Sequence, residues 1–374
     1  MRRFMVLIIA VGLFSQSQLK AQITCSKNRC TYLPLSQTTL DQMFYDFKTQ
    51  YTNKLFEDMA VAASLANLTS APVGSVNLYG WTMGVSAGIG YVPVTEVTIP
   101  ITGYGELKDI PRAGAAVNPR IFFGANVGWL FNAPYDPWEP EDSEPGWFSL
   151  SKFDVYGSVM QDKRKFALDD KGGDLSVQTR NLGFDVRYHL VEGKPLAGGP
   201  MLRFLGVSVG TGFHRASLDI EAKQLQDQKI KIALTGGSNL IWDGANIMTM
   251  QSKATTIPFE INTGLQMLYV LNLTFGAGMA INKGSADFVM TRVGPVYLSS
   301  DSAALMAALA GQTVTSSSYN SYLTMQLTGT GTAPKSMIYG KLGVDLNIFW
   351  LKVFAEGTFT KQAYAGNVGV RFQM

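Results

Sequence analysis

The stretch Trp81-Thr82-Met83-Gly84-Val85-Ser86-Ala87-Gly88-Ile89-Gly90-Tyr91 decides the fold. Trp81, Met83, Val85, Ala87, Ile89 and Tyr91 are apolar and fall on every second position, while the residues between them are small and neutral. A period of two is that of a strand whose side chains alternate between two faces. The apolar face opens and closes on an aromatic ring, the signature of aromatic girdles bounding a lipid-facing band.

The pattern recurs along the chain. Ile121, Phe123, Ala125, Val127, Trp129 and Phe131 alternate with Arg120, Gly124, Asn126 and Gly128, and Leu182, Phe184, Val186, Tyr188 and Leu190 alternate with Asn181, Gly183, Asp185, Arg187 and His189. Ile257, Phe259, Ile261, Thr263, Leu265, Met267 and Tyr269 face away from Glu260, Asn262, Gly264 and Gln266. Leu271, Leu273, Phe275, Ala277, Met279 and Ile281 do the same against Asn272, Thr274, Gly276, Gly278 and Asn282. The chain closes on Tyr364, Gly366, Val368, Val370, Phe372 and Met374 opposite Asn367, Gly369 and Arg371, with its last aromatic two positions early for a terminal assembly signal.

Charges in these segments keep to the polar face, whereas a basic residue at mid-bilayer on the lipid face would cost roughly 2–4 kcal/mol. A soluble β-sandwich or lipocalin-like barrel would carry charge outside and use strands of about five or six residues. These segments reach about ten, enough to cross a bilayer on a tilt. No open sheet edge is tolerated in hydrocarbon, so the sheet must close. The expected fold is all-β, an antiparallel transmembrane β-barrel of about 12 strands, within a range of roughly 10 to 14.

Met1-Arg2-Arg3, the apolar run Phe4–Phe14 and the small Ala21 read as a secretory signal peptide over residues 1–21, too short for a membrane helix. Arg2, Arg3 and Lys20 are three of the 31 basic residues and none of the 28 acidic ones lies there, so the remainder holds 28 of each. That balance removes the compositional case for a nucleic-acid partner. With 46% hydrophobic and 16% charged residues and no linker or fixed-period repeat, the rest divides only into an N-terminal region, 22–72, and one barrel, 73–374.

Cys25 and Cys30 sit just after the cleavage site. On the oxidising side of a membrane they favour a local disulfide, whose small loop is worth roughly 2 kcal/mol. A lipid on Cys25 is the other reading, although Gln22-Ile23-Thr24 lacks the usual apolar and small residues. From Ser36, an N-cap, to Leu68 the spacing of Leu40, Phe44, Phe47, Tyr51 and Leu55 is helical and amphipathic. Such a helix serves either as a lumen plug or gate or as a periplasmic helix against the barrel end, and the second is the expectation.

Short connections near Val270-Leu271 and Trp350-Leu351 contrast with long polar stretches at 221–254 and 284–336. With short turns periplasmic and long loops external, both termini are expected inside.

Signals for chemistry are sparse. His189 and His214 are the only two histidines, each on a polar face without a cysteine or second histidine at ligand spacing, so no metal is expected. Gly210, Gly212, Gly276 and Gly278 belong to wall packing and not to a nucleotide loop. Ser208 with His214 is the one serine–histidine pair worth weighing, and it is too little to expect an enzyme or a cofactor. The acidic, proline-rich run Asp136–Pro145 and the turn Asp169, Asp170, Gly172, Gly173, Asp174 are solvated loops before they are Ca²⁺ or partner sites.

Ala113–Pro119 leading into Gly128-Trp129-Leu130, Gly206–Gly210 before Phe213-His214, Thr291–Pro295 and the closing Val368–Phe372 resemble the leptospiral surface adhesin family, as does the order of early cysteine pair, helix and glycine-rich first strand. The resemblance covers nearly the whole mature chain. It implies a spirochaete outer-membrane surface protein binding host extracellular-matrix and plasma proteins such as laminin, fibronectin and plasminogen, and it assigns no binding residue. Membrane lipid and the barrel assembly machinery are the other expected partners. A porin-like channel or transporter for small or hydrophobic solutes, gated by the helix, is the alternative.

Overall fold

A computed structural model describes residues 24–26, 42, 45–46, 48–69, 78–101, 105–131, 147–167, 173–196, 201–224, 229–233, 239–298 and 321–374. The signal segment 1–21, Cys30 with the proposed disulfide, residues 136–145, and Asp169 and Asp170 lie outside them.

The first elements among the described residues are a short strand β1 (Thr24–Ser26), a π-helical turn (Lys48–Thr52) and helix α1 (Asn53–Leu68). Strands β2 (Trp81–Ile101) and β3 (Gly105–Asn126) are followed by a one-turn helix α2 (Val127–Leu130), then by β4 (Phe153–Ala167), β5 (Asp174–Val191), the two-residue β6 (Lys194–Pro195) and β7 (Leu202–Gln224). A small hairpin, β8 (Lys229–Ala233) and β9 (Asn239–Asp243), precedes β10 (Ala245–Met267), β11 (Leu271–Leu298), β12 (Ser321–Thr332), β13 (Ser336–Ile348), β14 (Leu351–Phe359) and β15 (Tyr364–Gln373).

Antiparallel neighbours run β2, β3, β4, β5, β7, β10, β11, β13, β14, β15, and β15 returns to β2 through Tyr364↔Tyr91 to Gln373↔Thr82. The ring is closed, and its shortest seam is the six pairs Ile121↔Val159 to Asn126↔Asp154 between β3 and β4. β12 and β13 lie end to end on β11, paired respectively from Val296↔Ser321 to Ser285↔Thr332 and from Ile281↔Ser336 to Leu271↔Leu346. They share one ring position, which gives ten wall positions, the low end of the expected range. The twelve-strand expectation exceeds this by two, and the long polar stretches at 221–254 and 284–336 read in the sequence as external loops. Those stretches instead prolong β7, β10, β11 and β12, and the β8–β9 hairpin only adds to the end of β11 at Val296↔Trp242.

The prolonged strands escaped detection because their faces exchange character. On β10, Ile257, Phe259, Ile261, Leu265 and Met267 point outward, and Glu260 and Asn262 inward. Farther from the short turns, the outward positions become Thr255, Lys253, Gln251 and Thr249 while Ala254, Met250 and Met248 turn inward. On β11, Phe275, Met279 and Ile281 give way outside to Lys283, Ser285 and Asp287, with Ala286, Phe288 and Met290 inside. The lower half is thus a membrane barrel, apolar outside. The upper half follows the ordinary rule for a barrel in water. The apolar outer band spans eleven residues on each of β10 and β11, Ile257–Met267 and Leu271–Ile281. At ~3.4 Å per residue and a ~40° tilt this is roughly 28 Å, close to the ~25 Å band of outer-membrane barrels.

Two expectations are corrected here. Val127, Trp129 and Phe131 do not continue β3: the Asn126 side chain accepts a hydrogen bond from Trp129 N (3.2 Å), caps α2 and ends the strand. The helix also does not lie against the periplasmic end. α1 stands inside the barrel, touching β2, β3, β7, β10, β11, β12 and β15. Its apolar face has a partner there because the inner wall of the upper half is apolar: Phe56, Ala60, Val61, Leu65 and Leu68 pack with Val92, Ala286, Phe288 and Met290. Phe56 stacks on Phe288 at 5.1 Å.

The exchange of faces predicts a position-dependent cost for charge. Ile261→Lys, in mid-band, is expected to lower the folding free energy into liposomes by ~2–4 kcal/mol, and Thr249→Lys, on the same face above the band, by less than about 1 kcal/mol. Urea titration of the folded fraction checks both.

Candidate functional site

Two features fill the lumen, α1 above and a lattice of charged side chains below. The helix fits because glycines stand where the wall meets its backbone. A Cβ on Gly90 would run into the carbonyl of Ala62, one on Gly114 into that of Asp58, and one on Gly331 into Phe56 and the amide of Glu57. Arg112 pairs with Asp58 at 2.6 Å, and Tyr51 Oη donates to Pro111 O at 2.8 Å. Burial lifts the Asp58 carboxyl above its usual range, opposed by the Arg112 guanidinium.

The lower end of the helix is tied to the wall by polar groups. Asn67 Nδ2 donates to His214 O and Thr256 Oγ1, both at 3.1 Å. The carbonyl of Thr69 accepts from Arg120 Nη2 and from Asn367 Nδ2. A cation at a helix C-terminus also meets the negative end of the helix dipole.

Below Thr69 the inward charges form a lattice. Glu260 Oε2 accepts from Lys341 Nζ at 2.8 Å and from Tyr339 Oη at 3.3 Å, and its Oε1 accepts from Asn262 Nδ2 at 3.0 Å with Arg187 at 3.7 Å. Glu356 lies 3.8 Å from Lys341, and Arg371 donates to Asp345 at 2.8 Å. Arg187 stands over the Tyr156 ring and Arg371 over the Phe354 ring, each 5.7 Å from the centroid. All of these charged groups are less than 10% exposed. A buried charge persists when paired and hydrogen-bonded, as Glu260 is with Lys341 and Asp345 with Arg371, whereas Glu356 has the Lys341 ion pair without a hydrogen bond to its Oε1.

Register explains how charges two strands apart meet. One row across the wall reads Arg187, Gly210, Glu260, Gly278, Tyr339. The next contains Asn262, Gly276 and Lys341. Each glycine leaves open the space between two long side chains, so Gly210, Gly276 and Gly278 have the wall-packing role expected of them. For Gly212 the nearest neighbours of an added Cβ are Asp185 and the Phe184 carbonyl.

Both histidines are buried against an aspartate, at different heights of the lumen. His189 Nε2 lies 2.8 Å from Asp154 Oδ2, and His214 Nε2 lies 2.8 Å from Asp185 Oδ1. Asp154 also accepts from Asn126 Nδ2 (3.0 Å) and from Leu78 N (3.2 Å). Ser208 is not brought to His214. It lies opposite His189 in the β5–β7 ladder, six residues along its strand, roughly 20 Å away at the usual rise. Asp174 is exposed at the start of β5, apart from the lattice. Backbone pairing places Cys25 opposite Leu323 of β12.

A closed barrel with an apolar outer band, girdled by aromatic residues and filled by its own chain, is an outer-membrane β-barrel protein. The sequence profile of the Lsa36-like family matches residues 18–374, and the chain belongs to that family. No curated protein sequence matches it. Among solved structures the chain is similar to the translocator domain of the autotransporter NalP from Neisseria meningitidis, at 9% identity over 83% of this chain and 93% of that one, with a TM-score of 0.26. A Pseudomonas aeruginosa FadL homologue is similar at 8% identity over 79% and 90%, with a TM-score of 0.23. Superpositions this loose carry no argument about activity.

The lattice sets up a stability test. Glu260→Ala leaves Lys341 and Arg187 without their shared carboxylate and is expected to destabilise the barrel by ~3–5 kcal/mol, while Glu260→Leu with Lys341→Met recovers part of that loss. Denaturant unfolding in lipid measures both, and a neutral Glu260→Ala would show that the pairs contribute nothing.

Proposed function

We propose that the protein works at the cell surface, binding host extracellular-matrix or plasma proteins with the end of the barrel where β7, β10, β11 and β12 rise beyond the lipid band. One observation carries this reading: the lumen is filled by α1 and the buried charge lattice, so the raised rim is the part offered to an external macromolecule. The rim includes the β8–β9 hairpin on the end of β11. Its outward residues include Lys253, Lys283 and Asp287 beside Ile247 and Val293. The family membership and the resemblance to leptospiral surface adhesins support the same reading.

The test replaces the two segments that join the rim strands, with the β8–β9 hairpin among them, and keeps the wall. Replacing 225–243 and 299–320 by short turns is expected to abolish binding of folded protein to immobilised laminin, fibronectin and plasminogen, with heat-modifiable gel mobility confirming an intact barrel. Unchanged binding would refute the proposal. In the channel or transporter reading, α1 is a gate. Steady conductance of the intact protein in planar bilayers, raised by removing 48–69, would favour that reading, and the lattice beneath the helix argues for a closed pore in both forms.

A further inference from the structure

The path of the chain before the first wall strand runs from one mouth of the barrel to the other. β1 pairs with β12 through Thr24↔Thr324, Cys25↔Leu323 and Ser26↔Tyr322. That part of β12 lies against Val293–Pro295 of β11, well beyond Ile281 and the upper edge of the lipid band. α1 then descends. Phe56 meets Phe288 and Gly329, Ser64 meets Gly284, and Asn67 reaches His214 and Thr256 at the top of the band. Leu78 is inside the opposite mouth, its amide donating to Asp154 and its carbonyl accepting from Gln373 Nε2 at 3.4 Å. Three residues on, Trp81 begins β2 at that mouth, exchanging backbone hydrogen bonds with Met374 at 3.0 Å. The expectation that both termini lie at the short-turn end therefore holds for Met374 and not for β1.

We infer that the segment preceding α1 is displayed on the cell surface through the lumen of the barrel that follows it, with α1 as the stopper that holds it there. The polarity is fixed by contacts along the helix: its first turns meet only the upper wall, and its last residues meet the band-level residues Arg120, Asn367 and His214. The displayed segment has a seat. Above the band, β12 has β11 on one side, and β1 takes the other. An edge in water can accept a strand at that height, as no edge in the lipid band can. The surface is then a composite of β1, β12 and the β8–β9 hairpin, so residues from before the barrel join the face proposed to bind external proteins. Cys25 lies in this displayed strand.

This inference rests on the raised rim facing outward, and the experiment separates the two. Epitope tags are placed singly in the full chain, after Gln22, within 225–228, and between Tyr269 and Val270, and antibody labelling is compared on intact and permeabilised cells. Each variant is first checked for heat-modifiable mobility, and a tag after Gln22 that fails the check is moved to 31–35. The expected result is labelling of intact cells by the first two tags and of permeabilised cells only by the third. A first tag that behaves like the Tyr269–Val270 tag overturns the threaded path. If the first two still behave alike but only the third labels intact cells, the threaded path stands, while display at the surface and the outward rim of the functional proposal both fall.

Discussion

The structure depends on one constraint, that every backbone amide and carbonyl in the hydrocarbon layer must find its partner within the sheet. The seam between β15 and β2 answers to it, because those strands join the ends of the wall into a ring. Closure at ten positions then fixes the space inside, and that space is small. Ten strands leave room for one helix at the height where the inner wall is lined by alanine and glycine. At the height where it is lined by arginine, lysine and carboxylates, they leave room for none.

Once the wall is closed, its two halves solve different solvation problems with the same alternating pattern. In the lipid band, the outer face must be apolar and the polar residues are driven inward, where they must neutralise one another without much water. The glycine rows through Gly210, Gly276 and Gly278 allow this, since they let long side chains from next-nearest strands meet. Above the band, water lies outside, and the apolar residues move inward, where α1 covers them. The helix is thus buried for the same reason as a core helix of a water-soluble protein.

Much of the wall was legible in the sequence. Trp81–Tyr91, Leu182–Leu190, Ile257–Met267 and Leu271–Ile281 all point their apolar residues outward as the alternation indicates, and their charges inward. Three things were not legible, for physical reasons. The prolonged strands keep a period of two but exchange the sense of their faces, so a search for lipid-facing alternation reads them as polar loops. The position of α1 depends on Gly90, Gly114 and Gly331 lining one cavity, a coincidence of register between strands far apart in sequence. The Glu260–Lys341 and Arg371–Asp345 pairs show in the sequence only as inward charges, because which of them meet is decided by strand order. Asn126 added a local error, since a capping side chain ended a strand whose apolar alternation continued to Phe131.

The path of α1 has a consequence for how the molecule is made. A chain that enters a ring by one mouth, leaves by the other and then becomes the ring is self-threaded, held by a seam of hydrogen bonds and by no covalent closure. Such a topology has an order of events written into it. Either the wall curls around a helix already in place, with the β15–β2 seam zipping last, or the leading segment is drawn through a finished ring lined with paired charges. The first route requires no lattice pair to open, and it ends with Met374, the residue whose amide and carbonyl pair with Trp81.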